Sequence, residues 1–201
     1  MWDTFESSSE GCGEATAVRV AYHLGNNHPY LAKISAYKCS IVGMAIAFFF
    51  TSLLFMCGEN LPSWFTVDPT LQAIIFDLIP LLGIGNIAMT YGIMSWYILG
   101  GQARFGLAAT IYVGTTLLIS LPLAAVSIYI LHLDIKGVVA SEIAGYITGG
   151  TILAIIIVIS DWPEHSRRVI ARAAECGSVS SSSSESINSE RNATEVIMAS
   201  A

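Results

Sequence analysis

Four long apolar stretches constrain this sequence more than any other feature. They cover about residues 39–57, 71–99, 105–131 and 138–160, and shorter, more polar segments separate them. An α-helix rises about 1.5 Å per residue, so it needs about 20 apolar residues to cross the hydrocarbon core of a bilayer. The strict apolar/polar alternation of a membrane β-barrel strand is not present in these stretches. The sequence therefore predicts an all-α membrane protein with four transmembrane helices.

The composition agrees with a lipid environment. The sequence is 54% hydrophobic and 12% charged, whereas a soluble domain usually has about 25% charged residues. Most acidic residues lie in residues 1–15 or after about residue 160, outside the apolar body. Nucleic-acid binding needs a basic patch. We therefore expect the lipid bilayer, and no nucleic acid, as a partner.

The chemically reactive side chains form no recognisable catalytic or metal-binding motif. The four cysteines, Cys12, Cys39, Cys57 and Cys176, are isolated, and no histidine stands at zinc-ligand spacing from them. The sequence also contains no nucleophile paired with a base, no phosphate-binding loop and no redox pair. We expect no metal, no cofactor and no enzymatic activity.

The segments outside the apolar stretches divide the chain further. Residues 1–10 are a polar N-terminal segment, and residues 11–175 form the expected membrane domain. Within this domain, residues 11–24 read as the last turns of a partial helix that is too short and too polar to span. A surface helix is expected at about 163–175, after the interfacial Trp162. The serine-rich residues 176–201 are expected to be disordered.

Basic residues near the ends of the spans predict the orientation of the chain. Cytoplasmic loops are enriched in lysine and arginine. Counting alternate sides puts seven basic residues on one side and one on the other, so both termini are expected in the cytoplasm. The seven are Arg19, Lys33, Lys38, Arg104, Arg167, Arg168 and Arg172, and the one is Lys136.

Several short motifs occur in an order typical of one transporter family. Residues 17–25 contain Arg19, Leu24 and Gly25 at a small-residue helix end. Residues 99–104 (LGGQAR) follow a proline-containing helix, and residues 120–123 (SLPL) lie inside the next one. Together these segments resemble the signature loops of the multidrug and toxin extrusion (MATE) family, from its C-terminal lobe.

The resemblance covers roughly residues 11–175. It implies a MATE-type C-terminal lobe with four spans and a partial helix before them. Since the family has about twelve helices in two lobes, it also implies an incomplete fragment and a missing N-terminal lobe as partner. The implied function is a secondary antiporter that exports xenobiotics or organic cations in exchange for H⁺ or Na⁺. The implied location is the plasma membrane or a vacuolar-type membrane.

Such a transporter needs carboxylates for ion coupling and aromatic rings for organic cations. Two readings stay open for each candidate residue. Asp77 either faces a cavity or lies in the interface, where its charge costs little. The hydroxyl and amide groups either line a cavity or bond a neighbouring helix, and Glu142 is either functional or a helix-start acid in water. The candidates are Asp77, Asn86, Tyr91, Tyr112, Thr116 and Glu142.

Two other functions fit four spans. A structural or adaptor protein of tetraspanin or claudin shape would have a folded outer loop with paired cysteines, but here the outer loops are short and only Cys57 lies near one. A flippase for lipid-linked substrates would share the same helix architecture.

Overall fold

A computed structural model describes residues 2–58 and 61–174 of the chain. Every regular element within these two ranges is helical. The helices are α1 (Trp2–Gly25), α2 (Pro29–Cys57), α3 (Leu61–Phe65), α4 (Pro69–Gly101), α5 (Phe105–Thr115), a π-helical segment (Thr116–Ser120), α6 (Leu121–Tyr129), α7 (Asp134–Ile159) and α8 (residues 162–174).

Four of the described helical segments are long and apolar enough to cross a membrane, which confirms the predicted all-α class. They are Pro29–Cys57, Pro69–Gly101, Phe105–Tyr129 and Ile135–Ile159. The largest difference in boundaries is at α2, which begins ten residues before the expected start at residue 39. Pro29 explains this start, because its fixed φ and missing N–H suit the first turn of a helix. The first ten residues of α2 are too polar to have been counted as a span.

The helix α1 is longer than the sequence indicated, because it runs back to Trp2 through the segment that we described as polar. Packing stabilises it, since α1 lies against both α2 and α4. Val20 and Leu24 are fully buried in these contacts. Asn27, with a φ of 58°, then takes the left-handed conformation that asparagine tolerates, and the chain turns into α2.

The helix α4 lies at the centre of the bundle, in contact with α1, α2 and α7. It begins two residues before the expected residue 71, where the Asp68 side chain accepts a hydrogen bond of 2.9 Å from Thr70 N and Pro69 occupies the first turn. α4 continues past Pro80, which lies inside it.

The third span changes its helical form just before Pro122. Proline has no N–H, so the carbonyl of Leu118 loses its usual partner four residues later. The chain accommodates this with the π-helical segment, in which Leu121 N–H donates to Thr116 O. The span ends at Tyr129, two residues before its expected end at residue 131.

One end of the bundle, here called the basic end, holds the junctions α1–α2 and α4–α5, the end of α7 and the helix α8. Ser166 Oγ donates to Leu24 O at 2.6 Å, and Arg172 Nη1 donates to Ala103 O at 3.0 Å. These bonds attach α8 to the ends of α1 and α4. The expected disordered tail at 176–201 lies outside the described residues.

Candidate functional site

A cavity of about 220 Å³ lies between α1, α4, α5 and α7. Its lining combines four aromatic side chains with two carboxylates and is otherwise mainly apolar. The six side chains that define this aromatic cavity are Glu6, Glu10, Trp96, Tyr97, Tyr112 and Tyr146.

Three of the rings hold one another in place. The centroids of Trp96 and Tyr112 are 5.6 Å apart with planes at 75°, and those of Tyr112 and Tyr146 are 6.1 Å apart at 52°. Tyr112 Oη also donates to Tyr146 Oη at 3.3 Å. Gly92 makes room for this cluster, since a Cβ there would lie 3.1 Å from Tyr146 Cδ1. Edge-to-face and tilted ring pairs at these distances are favourable.

The two carboxylates come from one face of α1, because Glu6 and Glu10 are four residues apart on the helix. The same helix is fixed against α4 by Ser9 Oγ, which lies 2.7 Å from Thr90 Oγ1 in a buried contact. Gly13 approaches the Tyr97 ring so closely that a Cβ there would lie 2.2 Å from it. The packing of α1 on α4 therefore brings the carboxylates to the rings.

This combination of groups favours cations. An ammonium group is attracted to the faces of tryptophan and tyrosine rings, by about 0.5–2 kcal/mol per contact. Carboxylates add a direct charge attraction, which is stronger at the rim of a membrane protein than in bulk water. Among residues 2–58 and 61–174, by contrast, no three His, Cys, Asp or Glu side chains are grouped as metal ligands.

Of the six candidates from the sequence, Tyr112 lines the aromatic cavity. Asn86 is buried and donates through Nδ2 to Ala47 O and to Thr51 Oγ1, both at 3.0 Å, so it links α4 to α2. Tyr91 lines a different pocket, between α2, α4 and α7. Thr116 is half-buried in the π-helical segment, where its carbonyl accepts the bond from Leu121. Glu142 is half-buried on α7 and does not line the cavity.

Asp77 lies near the other end of the bundle, outside the aromatic cavity. Its Oδ2 is 2.8 Å from Lys136 Nζ, and the two side chains are 60% and 51% exposed. Asp77 therefore pairs with Lys136 on the surface of the bundle and does not line the aromatic cavity.

Most of the residues that line the cavity were not among the candidates from the sequence. Glu6 lay in the segment described only as polar, and the i, i+4 spacing of Glu6 and Glu10 was the available signal. Trp96, Tyr97 and Tyr146 are spread over two helices, and nothing in their spacing shows that they meet.

The signature residues lie at the basic end. Leu24 is fully buried and its carbonyl accepts the bond from Ser166. Gly25 ends α1 with open space around it, and Arg19 is exposed. Leu24 therefore has a packing role in the structure.

Comparison with known proteins gives a consistent assignment. The MatE family model matches residues 5–126 of this chain. Protein DETOXIFICATION 32 of Arabidopsis thaliana is 23% identical over 175 residues, covering 87% of this chain and 34% of the relative. Protein DETOXIFICATION 35 of the same plant is 26% identical over 168 residues, covering 83% of this chain and 34% of the relative.

The fold agrees with these matches. The crystal structure of the eukaryotic MATE transporter AtDTX14 superposes with a TM-score of 0.81 at 18% identity, covering 85% of this chain and 38% of that one. The chain thus spans about a third of the length of the curated relatives that it matches. Because the family model matches more than half of the chain, this protein belongs to the MatE family of membrane transporters.

Proposed function

We propose that this chain forms one wall of a secondary antiporter that exports xenobiotics or organic cations in exchange for H⁺ or Na⁺. The observation that carries the proposal is the aromatic cavity, where two carboxylates meet four rings. The relatives carry the name DETOXIFICATION, and their family consists of transporters. We therefore propose transport, and not catalysis, as the role of the chain.

The size of the cavity suggests what part of a substrate it takes. Sites for drug-sized ligands have volumes of about 300–1,000 Å³, and this cavity has about 220 Å³. It suits a compact ammonium group with its alkyl substituents, while the rest of a larger substrate would extend beyond it. Alternating access in transporters of this kind needs two bundles that move around a shared site. A second lobe would supply the opposite wall.

Exchange follows from competition for the same negative charge. A proton or Na⁺ bound to Glu6 or Glu10 weakens the binding of an organic cation. By linkage, a bound organic cation weakens the binding of the proton or Na⁺ by the same free energy. Loading of one ion therefore favours release of the other, which is the thermodynamic basis of antiport.

Calorimetric titration tests this competition. Tetraethylammonium is titrated into the purified chain in nanodiscs of phosphatidylcholine, at rising Na⁺ concentration and at falling pH. We expect the dissociation constant to rise with at least one of the two ions. Affinity that is independent of both ions would contradict antiport, and no measurable binding would contradict the site itself.

We further propose that the basic end faces the cytoplasm, in the plasma membrane or a vacuolar-type membrane. The seven-to-one distribution of basic residues supports this orientation. In a chain without other cysteines, a cysteine at Ala173 in α8 should react with an impermeant maleimide only after the cells are opened. If the chain is in the plasma membrane, a cysteine at Ser63 in α3 should react in intact cells. If the chain is in a vacuolar-type membrane, the same cysteine should react in isolated, sealed vacuoles only after they are lysed. Reaction of the two sites from the same side would contradict the proposal.

A further inference from the structure

A buried contact between two hydroxyl groups joins α1 to α4 close to the aromatic cavity. Ser9 Oγ lies 2.7 Å from Thr90 Oγ1, and the two residues are 5% and 1% exposed. Thr90 Oγ1 also donates to Asn86 O at 2.8 Å within α4. A hydroxyl group has one proton, so this bond uses the proton of Thr90. Between the two helices, Ser9 is therefore the donor and Thr90 the acceptor.

The acceptor belongs to a part of α4 that α2 also contacts. Asn86 Nδ2 donates to Ala47 O and to Thr51 Oγ1 of α2, both at 3.0 Å. In the opposite direction, Thr51 Oγ1 donates to Gly83 O of α4 at 3.3 Å. All three bonds are buried, where hydrogen bonds are stronger than in water. Thr90 therefore offers α1 an acceptor on a part of the bundle that is held in place.

The donor belongs to the part of α1 that carries the carboxylates of the cavity. Ser9 directly precedes Glu10 and follows Glu6 by three residues, so a shift of α1 at Ser9 moves both carboxylates. Residues 7–13 (SSSEGCG) contain three serines and two glycines, which are weaker helix formers than alanine. Because the local sequence favours a helix only weakly, contacts with α4 determine where this part of α1 lies.

The bond contributes more to the position of α1 than to its stability. A serine hydroxyl in a helix readily donates to a carbonyl of its own helix. Ser40 Oγ donates to Ala36 O in this way, and Thr148 Oγ1 donates to Ala144 O. If Thr90 lost its hydroxyl, Ser9 would have the same alternative. The helix would then keep its hydrogen bonds but lose its link to α4.

We propose that Ser9 and Thr90 are positioning residues for the cation site, which hold Glu6 and Glu10 at the rings of the aromatic cavity. The inference rests on the proposed function, because it requires a cation that binds to these carboxylates. Neither Ser9 nor Thr90 lines the cavity, so both act through the position of α1. Without the bond, the carboxylates occupy their binding position for a fraction of the time, and the apparent affinity falls by that fraction.

Calorimetric titration with tetraethylammonium, in the same phosphatidylcholine nanodiscs, tests the proposal. Thr90→Val replaces the hydroxyl by a methyl group of similar size. It should raise the dissociation constant about fivefold, the change that corresponds to the loss of one hydrogen bond. Thr90→Ser keeps the acceptor and should restore most of the affinity. Thr148→Val is the matched control, because this hydroxyl bonds within α7 and does not line the cavity, and it should leave the affinity unchanged.

Three further variants separate positioning from a general loss of stability. Ser9→Ala removes the donor but introduces a better helix former, so it should weaken binding while α1 stays helical. Ser9→Ala combined with Thr90→Val should bind no more weakly than either variant alone, because both remove the same bond. Thr90→Val should also have a smaller effect in a Glu10→Gln chain, since one of the carboxylates that it positions is then uncharged.

Failure of the proposal can be told from failure of the proposed function. If Thr90→Val binds as tightly as the natural chain while Glu10→Gln binds weakly, the positioning role is refuted and the cation site stands. An equal loss in Thr90→Val and Thr90→Ser, or a full additional loss in the Glu10→Gln chain, would assign the effect to packing and overturn the proposal. If the natural chain binds no tetraethylammonium, the proposed function is refuted, and the positioning role with it.

Discussion

Glycine residues determine how closely the helices of this protein approach. Gly101, at the end of α4, lies so near α1 that a Cβ there would be 2.9 Å from both Ala17 O and Val20 Cβ. The contact involves backbone and the first side-chain carbon, neither of which can rotate away. Gly114, in α5, has nothing within 4 Å of the corresponding position.

The variant Gly101→Ala should therefore separate α1 from α4 and lower stability by about 1–3 kcal/mol, the usual cost of overpacking. Gly114→Ala should leave stability unchanged or raise it by up to about 1 kcal/mol, since alanine favours helix. Denaturant titration in detergent, followed by circular dichroism, compares the two. Equal stability of both variants would show that α1 is not packed against α4 at this position.

Asp77 should contribute little to binding. Its ion pair with Lys136 is exposed, and exposed pairs are worth about 0–1 kcal/mol. We expect Asp77→Asn to lower stability by less than about 1 kcal/mol and to leave the tetraethylammonium affinity unchanged. Calorimetric titration of the variant checks the second point. A clear loss of affinity would place Asp77 in the cavity after all.

At the residue scale, the sequence identified polar groups in the spans but not the direction in which they face. Asn86 and Tyr112 share a polar character, yet one bonds α2 and the other lines the aromatic cavity. The rotation of a helix about its axis depends on its neighbours, and weakly amphipathic membrane helices carry little signal for it.

The contacts that attach α8 include a buried histidine. His165 is 8% exposed, and its Nε2 lies 3.4 Å from Arg104 Nη1, which can donate only to an unprotonated ring nitrogen. Burial lowers the pKa of His165 below its usual 6.5, and the positive charges of Arg104 and Arg168 lower it further. The carboxylates of Glu164 and Asp161 oppose this shift of the pKa only in part.

The docking of α8 should therefore weaken in acid. Because the pKa of His165 is lowered on folding, the unfolded state binds more protons below pH 6.5, and stability falls from about pH 6.5 down to the folded pKa. Hydrogen exchange of the α8 amides should be faster at pH 5 than at pH 7.5, after correction for the intrinsic rate. His165→Gln should remove most of this difference. A pH effect of the same size in the variant would assign it to another group.

At the element scale, hydropathy was sufficient for the number of spans but not for their ends. α2 begins at Pro29, ten residues before the apolar stretch, because polar helical turns are stable outside the hydrocarbon. The position of Pro122 was visible in the sequence as an interruption of the third span. The π-helical form of that interruption depends on how the chain compensates for the lost hydrogen bond. Tertiary packing determines this, and it cannot be read from the local sequence.

At the scale of the whole molecule, two cavities lie on different sides of the central helix α4. The ordered motifs of the sequence were enough to indicate the family, and the fold agrees with it. Neither cavity was visible beforehand, since each joins side chains that are distant in sequence. The aromatic cavity, for example, brings Glu10 of α1 beside Tyr146 of α7.

The central claim is that the aromatic cavity binds organic cations through its carboxylates, and one comparison tests it most directly. The dissociation constant of tetraethylammonium is measured for the natural chain, for Glu10→Gln and for Glu14→Gln in the same nanodiscs. Glu14 is exposed on α1, one turn after Glu10, and does not line the cavity, so its variant removes the same charge from the same helix. We predict that Glu10→Gln weakens binding at least about tenfold, or about 1.4 kcal/mol, and that Glu14→Gln weakens it no more than about twofold. Equal affinities in all three proteins, or an equal loss in both variants, would contradict the account.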